Sequence, residues 1–157
     1  MSAAPLRTVL FVCTGNACRS PLAESLLRER LRALRPEVQV RSAGSGAAGG
    51  GATPEAATAA RELGADLTAY QSRQVSETML AEAALVIGLT GEHARWLRTT
   101  FPRYRHKVHT LGELARGAGG PDVADPIGND LETYRRTARE IERLLAEAEP
   151  EILRHLA

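Results

Sequence analysis

Cysteine is nearly absent: the 157-residue chain holds two, Cys13 and Cys18, close together near one end. Such a pair builds no disulfide framework and matches no zinc-ligand spacing, so in a reducing compartment it points to reactivity. Excess charge is missing too, with 20 basic against 19 acidic side chains and a formal net +1. That balance argues against a nucleic-acid or lipid surface, and Arg28, Arg30, Arg32 and Arg35 read as a solvated helix face. Long apolar runs are lacking. The first, Val9 to Cys13, is too short for a signal peptide, Met1 to Arg7 adds no basic region before a long apolar stretch, and no run approaches a membrane span. The expectation is a cytoplasmic monomer without nucleic-acid or membrane partners. With no repeat and no long linker, residues 1–157 are expected to form one domain. His93, His106, His109 and His155 are scattered, so core or surface roles are expected for them and no metal or cofactor is implied.

What is present alternates between two periodicities. Thr8 to Cys13 is a continuous apolar run, which predicts a strand covered on both faces. Ser20 and Pro21 then read as a polar cap and a proline at the first helical position, opening a helix that runs to about Leu34. Val38 to Ser42 predicts a second strand, and the glycine-rich stretch Gly44 to Gly51 a solvent loop. Thr53-Pro54 opens a helix ending near Gly64, and Ser76 caps a short one. Ala84 to Leu89 predicts a third strand, Thr90 to Thr99 a helix with Trp96 in the core, and Val108 to Leu111 a fourth strand. Asn129 with Glu132 reads as a capping box; beyond it Leu131, Tyr134, Ala138, Ile141, Leu145 and Ala148 recur at helical spacing. The fold expected is α/β: one doubly wound domain of about four parallel strands flanked by helices. Ligands bind such sheets at the carboxyl ends of the strands, which is where the segment after Cys13 lies.

That segment, Cys13-Thr14-Gly15-Asn16-Ala17-Cys18-Arg19-Ser20, carries the chemistry. A phosphate dianion needs several donors converging on a small volume, and a glycine-containing loop entering a helix supplies them from backbone N–H groups. Gly15 permits close approach of the backbone, and Asn16 is among the few residue types that accept a left-handed conformation. Arg19 can clamp two phosphate oxygens with its planar fork. The same donors favour a thiolate at Cys13, placed to attack phosphorus, and Ser20 can donate to that sulfur.

The string Val12 to Pro21 resembles the signature of the low-molecular-weight protein tyrosine phosphatases. The likeness continues in Arg41-Ser42-Ala43-Gly44, Ser72-Arg73-Gln74 and Asp125-Pro126, in the same order along nearly the whole chain. The resemblance implies that Cys13 is the nucleophile, Arg19 binds the phosphoryl group and Asp125 is the general acid. Asn16 and Ser42 would hold the loop in shape. Tyr70 stands where many relatives have a histidine supporting the loop asparagine, and its hydroxyl can replace that bond. Cys18 can serve as a redox partner that protects Cys13 through a reversible disulfide, or simply pack beneath the loop. Asp122 is a rival to Asp125, since an Asp-Pro pair also marks turns.

The implied reaction is metal-free hydrolysis of phosphotyrosine in a phosphorylated protein through a phosphocysteine, with inorganic phosphate as product and inhibitor. Tyrosine-specific members, however, wall a slot with aromatic residues, including one or two tyrosines after the Asp-Pro. Here Ile127 and Gly128 follow, leaving Ala17 and Ile127 as pocket residues, and the chain holds only two Phe, three Tyr and one Trp. Asp125 to Gly128, Ala52-Thr53-Pro54 and Arg103 to Val108 resemble the bacterial protein-arginine phosphatase branch, in which a threonine occupies the position of Ala17. On those stretches phosphoarginine is the alternative substrate, while Ala17, in place of the threonine that helps select it, departs from that branch. A phosphocysteine carrier would need neither Arg19 nor Asp125, and a non-catalytic phosphate-binding module is at odds with the full Cys-Arg-Asp set. An arsenate reductase of this fold would need cysteines in the second half, and none follows Cys18.

Overall fold

A computed structural model describes residues 7–47 and 49–157. The expectation about a leader at Met1 to Leu6 and part of the glycine-rich loop, Ala48, lie outside the described residues. Four strands form one parallel sheet in the order β2-β1-β3-β4: β1 Arg7–Cys13, β2 Val38–Gly44, β3 Leu85–Gly88 and β4 Val108–Thr110. The helices are α1 Arg19–Leu31, α2 Pro54–Glu62, α3 Glu77–Glu82, α4 Gly91–Thr100, α5 Leu111–Arg116 and α6 Leu131–His155, with a 3₁₀ turn at Pro102–Lys107.

The unbroken hydrophobicity of β1 has the cause anticipated. Val9, Phe11 and Cys13 face one core with Leu22, Ile87, Ile141 and Leu145, while Leu10 and Val12 face the other with Leu80, Val86 and Leu97. Helices α1, α2, α5 and α6 pack together over the first core. Trp96 is half-buried at the second, its ring edge-on to Phe101. Burying a side chain such as Phe11 or Leu22 contributes roughly 2–3 kcal/mol, so β1 is anchored from both sides. Chain order reverses around β1, with β2 on one flank and β3 on the other, and that switch point opens directly onto the loop after Cys13.

Several boundaries differ from the sequence expectation. Helix α1 starts at Arg19 with Cys18 as its cap and no side-chain capping bond, because the Ser20 hydroxyl is engaged elsewhere. It ends at Leu31 rather than near Leu34. Strand β2 continues to Gly44, drawn on by its pairing with β1 up to Cys13. Strand β4 stops at Thr110, where a capping box formed by Thr110 and Glu113 opens α5, a helix the periodicity did not reveal. Asp130, not Asn129, caps α6 by accepting from the Thr133 N–H at 3.0 Å, and Glu132 pairs with Arg139 instead. The helix then runs through Pro150 to His155, its last turns held by buried Ile152 and followed by buried Leu156.

Candidate active site

The loop Cys13–Cys18 is held open by bonds that consume three of its carbonyls from outside. Ser45 N–H donates to Cys13 O at 2.9 Å, Gly46 N–H to Thr14 O at 2.9 Å, and Thr53 N–H to Ala17 O at 3.0 Å. The N–H groups of Thr14, Gly15, Ala17 and Cys18 meet no carbonyl acceptor among the described residues. The donors of the loop are thus left for a ligand, and Asn16 makes the bend with φ of 55°. Gly44 is a residue the loop demands: a Cβ there would sit 2.4 Å from Thr14 O. Gly15 is different, since its added Cβ would meet no atom within 4 Å; the room it leaves is open space at the cavity it lines.

Buried Asn16 organises the underside. Its Nδ2 donates to Ser20 Oγ at 2.7 Å and to Ser42 Oγ at 3.1 Å, and its Oδ1 accepts from Arg73 N–H at 2.9 Å. Tyr70 reaches the loop one step removed, through a hydroxyl–hydroxyl bond to Ser42. Burial pushes the Tyr70 phenol up, so the hydroxyl stays protonated. Cys13 Sγ lies 2.9 Å from Ser20 Oγ and accepts from Asn16 N–H at 3.3 Å. Both cysteines are free. Cys18 Sγ lies 3.4 Å from the Tyr134 hydroxyl and 3.7 Å from Thr53 Oγ1, and burial raises its thiol pKa. The Tyr134 phenol is pushed up to about 12 by burial and by its bond to Cys18.

Arg19, in the first turn of α1, is buried; one guanidinium nitrogen donates to Val123 O at 3.0 Å and another lies 3.6 Å from Asp125 Oδ2. The segment carrying Asp125 is tied to the sheet by Val123 N–H donating to Leu89 O. Asp125 Oδ1 also accepts from Ile127 N–H at 3.1 Å, while its side chain remains 42% exposed. Asp122 is engaged elsewhere, accepting from Gly91 N–H at 2.8 Å at the start of α4. A cavity of about 210 Å³ is lined by Cys13 through Arg19 together with Asp125 and Ile127, which is 55% exposed. Among the described residues, no three His, Cys, Asp or Glu side chains cluster closely enough to hold a metal ion.

His93 joins this group, although its sequence position suggested only a core or surface role. It is buried, and its Nε2 lies 3.0 Å from Thr14 Oγ1 across 79 positions of chain. Burial, then the Arg19 guanidinium, lowers its pKa to about 4. A signal was available: His93 lies three positions beyond the cap Thr90, in the helix that follows β3. In a doubly wound sheet the helix starts after the central strands converge on the switch point.

Comparison with known proteins agrees with this geometry. The family of low molecular weight phosphotyrosine protein phosphatases matches residues 8–155. A protein named protein-arginine-phosphatase from Bacillus subtilis is 41% identical over 87% of this chain and 91% of its own. The low molecular weight protein-tyrosine-phosphatase Wzb of Escherichia coli is 34% identical over 86% of this chain and 88% of its own. Among solved structures, YwlE arginine phosphatase from Geobacillus stearothermophilus superposes with a TM-score of 0.85 at 35% identity, covering 96% of each chain. Together these matches show that the chain belongs to the low molecular weight phosphotyrosine protein phosphatase family.

Proposed function

We propose that Cys13 is the nucleophile of a two-step, metal-free hydrolysis of phosphorylated protein side chains. The observation that carries this is the placement of Cys13 Sγ at the base of a loop whose Thr14, Gly15, Ala17 and Cys18 N–H donors are unspent, with Arg19 and Asp125 lining the same cavity. In the first step the thiolate attacks phosphorus and Asp125 gives its proton to the leaving atom, so a P–S bond forms as the P–O or P–N bond breaks. In the second, water attacks the phosphocysteine, Asp125 takes its proton, and the thiolate leaves, stabilised by the Ser20 hydroxyl. Arg19 and the loop N–H groups hold the three non-bridging oxygens throughout. Inorganic phosphate, the product, occupies the same donors and inhibits.

The substrate reading moves toward phosphoarginine. Two relatives named protein-arginine-phosphatase, at 41% and 38% identity, exceed Wzb at 34%. Among the described residues no aromatic side chain lines the cavity, so a phenyl ring finds no aromatic wall, whereas a guanidinium plane can donate to a carboxyl oxygen of Asp125. Phosphotyrosine is the second reading, supported by the family description itself. Matched phosphoarginine and phosphotyrosine peptides given to reduced protein test the order. We expect faster phosphate release from phosphoarginine and none from either with Cys13→Ser. Unchanged release by Cys13→Ser would end the nucleophile assignment, and faster release from phosphotyrosine would reverse the order.

A further inference from the structure

Thr14 lines the cavity, and the bond between its hydroxyl and His93 decides which way the hydroxyl proton points. A neutral imidazole carries one proton and offers one lone pair, so the Nε2 contact at 3.0 Å has two forms. In one, Nε2 accepts and the Thr14 proton is consumed inside the protein. In the other, Nε2–H donates to Thr14 Oγ1 and the Thr14 proton is free for another acceptor. The other ring nitrogen separates them: His93 Nδ1 is buried and has no hydrogen-bond partner among the described residues. A proton placed on Nδ1 would be a buried donor without an acceptor, which is rarer and costlier than an acceptor left unused. The environment also disfavours a proton on both nitrogens. Burial and the nearby Arg19 charge outweigh the opposing Asp122 and Asp125, and the ring stays neutral.

We propose that His93 is a positioning residue: as its neutral Nε2–H tautomer it donates to Thr14 Oγ1 and so frees the Thr14 hydroxyl proton to donate to the phosphoryl group. The loop then presents a side-chain donor beside its N–H groups, aimed by a residue that never touches the substrate. This rests on the loop binding phosphate but not on which phosphorylated side chain is the substrate. Two readouts test it without turnover. In long-range ¹H–¹⁵N spectra of the resting protein, the His93 resonances are expected to show Nε2 protonated and Nδ1 bare; the opposite tautomer overturns the proposal. Inorganic phosphate is then titrated into the wild type and variants. His93→Leu and Thr14→Val are each expected to weaken phosphate binding about fivefold to tenfold, with the double variant no weaker than either single. His93→Gln, which keeps an amide donor, is expected to recover most of that loss. Undiminished phosphate affinity in folded His93→Leu, or additive losses in the double variant, overturns the inference while leaving the nucleophile reading untouched. Failure of the wild type to bind phosphate removes both.

Discussion

At the scale of single residues the site depends on groups that are not interchangeable with near neighbours in chemistry. Asp125 and Asp122 differ by three positions, yet only Asp125 lines the cavity, while Asp122 is spent on Gly91 N–H. Asp125→Asn is expected to lower steady-state kcat about 10²- to 10⁴-fold, while a burst of product from an activated aryl phosphate survives, since a good leaving group needs no proton. Stopped-flow measurement of that burst checks it; wild-type kcat in the variant would remove Asp125 from the mechanism. Arg19→Lys keeps the charge but loses the fork that reaches both Val123 O and Asp125, and kcat/KM is expected to fall about 10²- to 10³-fold.

His93 supplies a pH prediction. Its pKa falls from about 6.5 in the unfolded chain to about 4 in the folded one, so on acidification the unfolded state takes up the proton first. The stability associated with the neutral ring is therefore fully present above about pH 6.5 and is lost as the pH falls toward 4, on the order of 3 kcal/mol in total. Urea melts across that range should show the decline in wild type and a flatter curve in His93→Gln.

At the scale of elements, what the sequence revealed and what it hid divide along locality. Strand β1, helix α2 with its Thr53 cap, α3 with Ser76 and α4 with Thr90 were legible because their signals lie within a few consecutive residues. The Cys13-to-Arg19 loop was legible for the same reason. Ser20 reads both as a helix cap and as a donor to the Cys13 sulfur; the cap reading fails because its hydroxyl is engaged with Cys13 and Asn16. His93 and the latches from Ser45, Gly46 and Thr53 were hidden because they cross between distant segments. Helix α5 was hidden because its first residue, Leu111, reads as the end of a strand, although the Thr110–Glu113 capping box is a local signal; it packs against the segment leading to Asp125, where a Cβ on Gly112 would lie 2.2 Å from Pro121 O. Gly112→Ala is expected to cost about 1–3 kcal/mol and, by shifting the chain toward Asp125, to lower kcat more than it alters phosphate affinity. Gly44→Ala, pressed against Thr14 O, should do the reverse and weaken phosphate binding first. Isothermal titration beside steady-state kinetics separates the two patterns.

At the scale of the whole molecule, loop, sheet and acid segment are tied into one structure rather than appended to it. The edge strand β2, the turn after it, the cap of α2 and the start of α4 all bond to the Cys13–Cys18 loop or its supports. A ligand seated there must stabilise everything that holds the loop. Phosphate at 100 times its Kd is expected to add about 2.7 kcal/mol to unfolding, read as a rise in melting temperature. The same ligand should leave the melting temperature of a variant without the Arg19 fork almost unmoved.

The outward latching of the loop carbonyls has a consequence for isotope labelling. In deuterated water without ligand, the N–H groups of Thr14, Gly15, Ala17 and Cys18 should exchange quickly, while those of Ser45, Gly46 and Thr53 should be protected, each being spoken for by a loop carbonyl. One short stretch of surface would thus carry labile and slow amides on opposite sides of the same peptide planes. Adding phosphate should slow the first set with little change in the second, tracing the outline of the bound anion in time rather than in space.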